Sequence, residues 1–233
     1  VLSTQPVHAN MVLADFESGF PAGWFVFTGA STVDVTTQIV ADTDPLARPG
    51  QVGDNTIAQA AFNVTEFGGF GQDFSPSPMD WSGYTGVSFW LYGNNSGLTY
   101  QYELSDNRSD PNTDTSERWD SLFVDNFSGW QQMVIPFTAF TRATDFQPGG
   151  APNDGLTLTE VWGYSFILPQ GTDTIYLDDV ALEGPMTAGP EPTTLALMGL
   201  GLALPFTRKK YWTNPSRSRT FAAWMNKTRL KAS

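Results

Sequence analysis

Two short acidic motifs, "ADFES" at 14–18 and "IYLDDVAL" at 175–182, hold the side chains of this 233-residue chain best placed for chemistry. In extended backbone Asp15 and Glu17 point one way and Phe16 the other, while Tyr176, Asp178, Val180 and Leu182 share a face. A carboxylate among apolar neighbours is costly to bury alone and needs a partner. Basic residues are scarce here, so a hard divalent cation with oxygen ligands is the natural one. Asp15, Glu17 and Asp178 are therefore candidate ligands for a structural Ca²⁺, provided the first and last strands are neighbours. If the opposite face of the last strand is the buried one, Asp178 is solvated instead. Asp42, Asp44 and Asp54 read first as turn residues.

Other chemistries lack their parts. The chain has no cysteine, which removes disulfides, thiolate zinc sites and cysteine nucleophiles. Its one histidine, His8, lies outside any patterned segment, which leaves histidine-based triads without a base. A glycoside hydrolase needs two carboxylates at a defined separation, and nothing marks such a pair among 24 acidic residues, so no enzyme is expected. Residues 1–191 hold all 24 acidic residues against four arginines, a net of −20. Residues 192–233 hold eight basic residues and no acidic one, which together gives the formal −12. An acidic body repels phosphate backbones and excludes nucleic acid as its partner.

The elements that would position these groups read as strands. "WFVFT" (24–28), "TVDVTTQIVA" (32–41), "TIAQAAFNV" (56–64), "GVSFWLYG" (86–93), "TYQYELS" (99–105), "WDSLFV" (119–124), "WQQMVIPF" (130–137), "VWGYSFIL" (161–168) and "DTIYLDDVALE" (173–183) are rich in β-branched and aromatic residues. Clusters such as "GNNSG" and "QPGGAPNDG" separate them. This predicts an all-β two-sheet sandwich, a jelly roll, over residues 14–184. Trp81, Trp90, Trp119, Trp130 and Trp162 are expected mainly as core residues. Residues 1–13 contain "VHA", with the small-residue spacing of a cleavage site, and read either as the remnant of a signal peptide or as a disordered terminus.

Past the sandwich, residues 185–192 read as a linker. Then come an uncharged run of about 15 residues, expected as a short hydrophobic helix and brief for a bilayer span of roughly 20, and the basic cluster Arg208, Lys209 and Lys210. Pro190-Glu191-Pro192, the apolar run and the basic cluster, in that order over 193–210, resemble the PEP-CTERM sorting signal of bacterial envelope proteins. The resemblance implies export, handling by an exosortase, transient membrane anchoring and a location at the cell envelope, cell surface or extracellular matrix. A basic tail, 211–233, continues beyond the usual end of such signals.

"DFES", "DWSGYTGVSFWLYG" (80–93), "SERWDSLFV" (116–124), "GWQQMVIPFTAFTRATDFQPGG" (129–150), "DGLTLTEVWGYSFIL" (154–168) and "IYLDDVAL" together resemble family 11 carbohydrate-binding modules, which are galactose-binding-like jelly rolls. That resemblance implies structural calcium and a concave sheet that takes up β-glucan chains. Carried over singly, it implies Asp145 and Phe146 in "TDFQP", Phe70 in "GGFG", and Glu117 and Arg118 in "SERW" as polysaccharide-binding residues. Two positions depart: Leu168 stands where the family has a Tyr, and Arg142 is the nearest substitute for an Arg expected just before Asp145. An extracellular polysaccharide is thus the expected partner. A structural surface protein with the same fold and no specific ligand is the alternative.

Overall fold

The computed structural model describes residues 9–184; the linker, the sorting signal, the apolar segment, the basic tail and His8 lie outside the described residues. The described part is a sandwich of two antiparallel sheets built from β1 (Met11–Ala14), β2 (Trp24–Thr28), β3 (Thr32–Val40), β4 (Asn55–Val64), β5 (Gly68–Asp73), β6 (Gly86–Asn94), β7 (Thr99–Arg108), β8 (Ser116–Val124), β9 (Ser128–Pro136), β10 (Thr141–Arg142), β11 (Val161–Ile167) and β12 (Gly171–Glu183). One sheet runs β3-β4-β12-β6-β9, with β1 added against β12; the other runs β10-β8-β7-β11-β5-β2. The first and last strands are indeed neighbours, Met11 facing Leu182. The sandwich begins at Met11, inside the stretch read as a terminal remnant.

Period-2 alternation decides which side chains meet between the sheets. From β7, Tyr100, Tyr102 and Leu104 point inward; from β11, Tyr164 and Phe166; from β6, Val87, Phe89 and Leu91. Phe89 lies 5.7 Å from Tyr102 in stacked geometry and 4.9 Å from Phe166 edge-on, so one ring joins both sheets. Each such ring removed from water contributes about 1.5–3 kcal/mol.

All nine expected strands form. Three others, β1, β5 and β10, do not announce themselves in the sequence: β1 and β10 are very short, and β5 ("GGFGQD") reads as a turn. The physical reason for β5 is crowding. A Cβ placed at Gly71 would land on the backbone carbonyl of Tyr164, and one at Gly69 would meet the carbonyl of Phe166 and the ring of Phe27. Only glycine lets β5 sit between β11 and β2. Gly71→Ala is expected to destabilise the domain by about 1–3 kcal/mol, seen as a lower urea midpoint with an unchanged m-value. An unaltered midpoint would mean the strand has room it does not show.

Candidate functional site

The outward face of the sheet containing β7 collects what the inward face rejects. Following the strand register, Thr141, Asp120, Glu103, Ser165, Gly71 and Phe25 stand in one row across all six strands. A parallel row holds Leu122, Gln101, Ile167, Gly69 and Phe27. Small residues therefore form the middle of this face. Phenylalanines border it on the β2 side, and carboxylates with Leu122 border it on the β8 side.

An open depression of about 440 Å³ lies at the β8 end, lined by Gln101, Asp120, Leu122, Thr141, Arg142 and Asp145. The 143–148 segment is held against β8 by Gln147. Its amide nitrogen donates to the carbonyls of Arg118 (2.8 Å) and Ala143 (3.0 Å), and its oxygen accepts from the Arg118 N–H (3.0 Å). This tie presents Asp145 to the depression, and Phe146, next to it in the chain, is 59% exposed.

Arg118 organises the carboxylates behind the depression. Its guanidinium donates to Ser105 (2.5 Å) and Asp114 (2.6 Å) and stands 3.5 Å from Glu103. Burial pushes Glu103 up to about 7 against the pull of Arg118, with Asp120, Asp145 and Asp114 adding to the rise. Burial likewise raises Asp120 to about 6, opposed by a hydrogen bond from Gln101.

Of the six residues expected to bind polysaccharide, the structure brings four to this region: Arg118, Arg142, Asp145 and Phe146. Two are placed elsewhere. Phe70 is fully buried between the sheets, stacked on Trp24 (5.7 Å) and Phe166 (5.2 Å), because alternation turns Gly69 and Gly71 outward in its stead. Glu117 is fully buried on the inward side of β8, where it pairs with Arg142. The rows also include Phe25, Gln101, Glu103 and Asp120, which the sequence reading did not select. The signal lay in "TYQYELS", where the residues between inward rings must face out. Of the tryptophans, Trp81 and Trp162 are buried as expected, whereas Trp90, Trp119 and Trp130 are only partly so.

At the corner expected to hold calcium, Asp15, Glu17 and Asp178 each accept hydrogen bonds from protein groups. Glu17 accepts the N–H of Thr56 (3.1 Å), and Asn55 donates to Asp178 (2.8 Å). Asp178 is fully buried, its carboxyl raised to about 6 by burial. Arg48 stands 3.3 Å from Asp178, pairs more closely with Asp179, and lies 5.4 Å over the ring of Trp90. Asp15 turns onto the N–H of Glu17 (3.2 Å). The lone pairs of Asp178 are thus taken by Arg48, Asn55 and the N–H of Asp179 (2.8 Å). Unsatisfied oxygens occur instead at Asp106 and Glu117, which face each other across β7 and β8, both fully buried. Asp106 Oδ1 and Glu117 Oε2 have no hydrogen-bond partner among the described residues, a donor pair that suits a hard cation. No set of three or more acidic or histidine side chains among the described residues is arranged to hold a metal ion.

The family model described as carbohydrate binding domain (family 11) matches residues 3–185, and that of the PEP-CTERM protein-sorting motif matches residues 190–210. Among solved structures, a family 11 carbohydrate-binding module from Clostridium thermocellum, in complex with a β-1,3-1,4-mixed-linked tetrasaccharide, is similar at 22% identity. The match covers 75% of this chain and 95% of that one, with a TM-score of 0.59. The family 11 module of a cellulosomal cellulase of the same organism gives 21% identity, 78% and 98% coverage, and a TM-score of 0.61. A family 30 module of another of its cellulosomal cellulases gives 12%, 77% and 100%, and 0.55. At these identities the likeness shows a shared fold. No curated protein matches.

The raised carboxyls carry a sign that can be checked. Glu103 and Asp120 bind protons more tightly folded than unfolded, so their contribution is complete below the ordinary carboxylate range and is lost as pH rises through about 6 to 7. Asp178 acts in the same sense, whereas the lowered carboxyls of Asp73 and Asp125 matter only under more acidic conditions. The melting temperature is expected to fall between pH 5 and pH 8, and Glu103→Gln to flatten that slope. A melting curve insensitive to pH in this window would contradict the assigned burial.

Proposed function

The chain belongs to the family of family 11 carbohydrate binding domains, and from that premise we propose that it is a non-catalytic module that holds a β-glucan-type polysaccharide in the outward face of the β7 sheet. The observation carrying this reading is the row from Thr141 to Phe25, a band of small residues with aromatic rings at one side and carboxylates at the other. Pyranose rings present apolar C–H faces that rest on aromatic rings, and their hydroxyls donate directional hydrogen bonds to carboxylates and exchange them with amides. Phe146, Phe25 and Phe27 would supply the first contact; Asp120, Asp145, Gln101 and Glu103 would supply the second.

The sorting motif supports export and a cell-envelope setting, with exosortase-type processing and transient anchoring through residues 193–210 as the route. For calcium, the candidate donors are Asp15, Glu17 and Asp178 at one corner and the orphaned oxygens of Asp106 and Glu117 at another, with Arg48 beside Asp178 and Arg142 beside Glu117. A bound ion there would supply charge compensation to the sandwich and take no part in ligand contact.

Affinity electrophoresis of the chain against a panel of polysaccharides tests the binding reading. Retardation by mixed-linkage β-glucan is expected, weakened about tenfold by Phe146→Ala and also by Asp120→Asn, with no release of reducing sugar. Migration unchanged on every glycan would favour a structural surface protein instead. Chelation with EDTA is expected to lower the melting temperature, and Glu117→Gln to remove that response; a midpoint indifferent to EDTA would dismiss the ion.

A further inference from the structure

We propose that the opposite side of the sandwich carries a second binding surface, a stripe across the outward face of the β3-β4-β12-β6-β9 sheet that takes an uncharged pyranose chain. Strand register lines up Thr36, Gln59, Tyr176, Tyr92 and Trp130 on five adjacent strands. Their in-strand neighbours Ala58, Ala60, Ile175, Leu177 and Leu91 are buried, so the five point away from the core. Tyr176, Tyr92 and Trp130 are each only partly buried.

The three rings form a continuous strip. Tyr92 meets Trp130 edge-on at 5.6 Å and Tyr176 edge-on at 5.7 Å. Two strand spacings, about 10 Å, separate Trp130 from Tyr176, room enough for more than one sugar ring. The hydroxyls of Tyr92 and Tyr176 and the amides of Gln59 and Gln132 make no hydrogen bond within the described residues. Aromatic faces with free hydroxyls and amides beside them are the combination that a polyhydroxylated ring recognises.

Charge selects the occupant. Residues 1–191 carry 24 acidic side chains against four basic ones, yet the stripe holds none of either sign. Asp178, one pair further along β12, is paired with Arg48. The loop bearing Arg48 crosses this face beside the stripe, with Trp130 Nε1 donating to the carbonyl of Leu46 at 2.7 Å and Arg48 lying over Trp90. That loop lies over Trp90 of the next row and reaches the Nε1 edge of Trp130 in the stripe itself, while no hydrogen bond joins it to Tyr92 or Tyr176 among the described residues. A uronate polymer would be repelled by the surrounding acid, and a polymer bearing ammonium groups would find no carboxylate in the stripe. An uncharged glycan matches it.

The test uses the full chain with neutral mixed-linkage β-glucan and, as the charged comparison, a polyuronate. Three variants are compared by affinity electrophoresis, with near-UV circular dichroism as the check on folding: Tyr176→Ala, the groove pair Asp120→Asn with Phe146→Ala, and all three changes together. The groove pair is expected to keep part of the retardation by β-glucan, and the triple variant to lose about tenfold more. Tyr176→Phe, which keeps the ring and removes only the hydroxyl, should stay within about threefold of the wild type, which separates the contribution of the ring from that of the hydroxyl. A triple variant that is folded and binds like the groove pair would overturn the stripe, as would equal retardation by the polyuronate. Binding abolished by Tyr176→Ala but untouched by the groove pair would support the stripe while removing the groove reading.

Discussion

Contact between Phe89 of one sheet and the rings of Tyr102 and Phe166 of the other is the interaction on which the rest of this domain depends. Strands alternate, so once those rings turn inward the residues between them have no choice of side. Gln101, Glu103 and Ser105 face out because Tyr100, Tyr102 and Leu104 face in. Gly163 and Ser165 face out because Tyr164 and Phe166 face in. The band of small and acidic residues on this face is therefore the outward image of the aromatic core, and a one-residue slip of β7 would exchange them.

Scarcity of cations imposes a second order on the fold. Among the described residues the only basic side chains are Arg48, Arg108, Arg118 and Arg142, and each is committed to carboxylates. Arg108 joins Asp73 and Ser116 while lying 4.3 Å over Trp162. Removing any one of them would leave a buried or half-buried acid unpaired, which costs more than the pair itself contributes. Asp125 shows the alternative device. It is fully buried without an arginine, and its carboxylate accepts the N–H groups of Asn94, Asn95 and Ser96 together with the Ser96 hydroxyl at 2.7 to 3.1 Å. Burial alone would raise its carboxyl, but those four donors hold it below the ordinary range.

Much of this was legible in the sequence, and the failures have physical causes. Long strands rich in rings and β-branched residues declare themselves; the first strand does not, since it pairs with the last through Met11–Ala14, and "DFES" follows it in irregular backbone with Phe16 at a φ of 59°. Strand β5 does not, because its glycines answer to clearance against neighbouring backbones, which only the assembled sheet defines. Phe70 was misplaced for the same reason: within a glycine-rich strand its parity cannot be told until the partner strand is known. Glu117 was misplaced because "SER" offers three polar residues in succession, all of them buried, and its pairing with Asp106 and Arg142 sets it away from the outward row that holds Glu103 and Asp120. Asp145 and Phe146 lie in a loop, where no strand parity decides their side, and Phe146 is exposed.

Glu103 and Asp120 complete the argument about where this domain spends stability. Adjacent in register and both largely withdrawn from water, they hold their protons more tightly than free carboxyls, so their presence opposes folding at neutral pH. A sandwich under no other demand would place Thr or Gln there, as it does at Thr141 and Gln101 in the same two rows. Arg118 offsets part of the cost and fixes the geometry through Ser105 and Asp114. Carboxylates held at such a cost beside an open depression are the groups that the proposed polysaccharide would meet there, and their protonation ties the stability of the sheet to that same face.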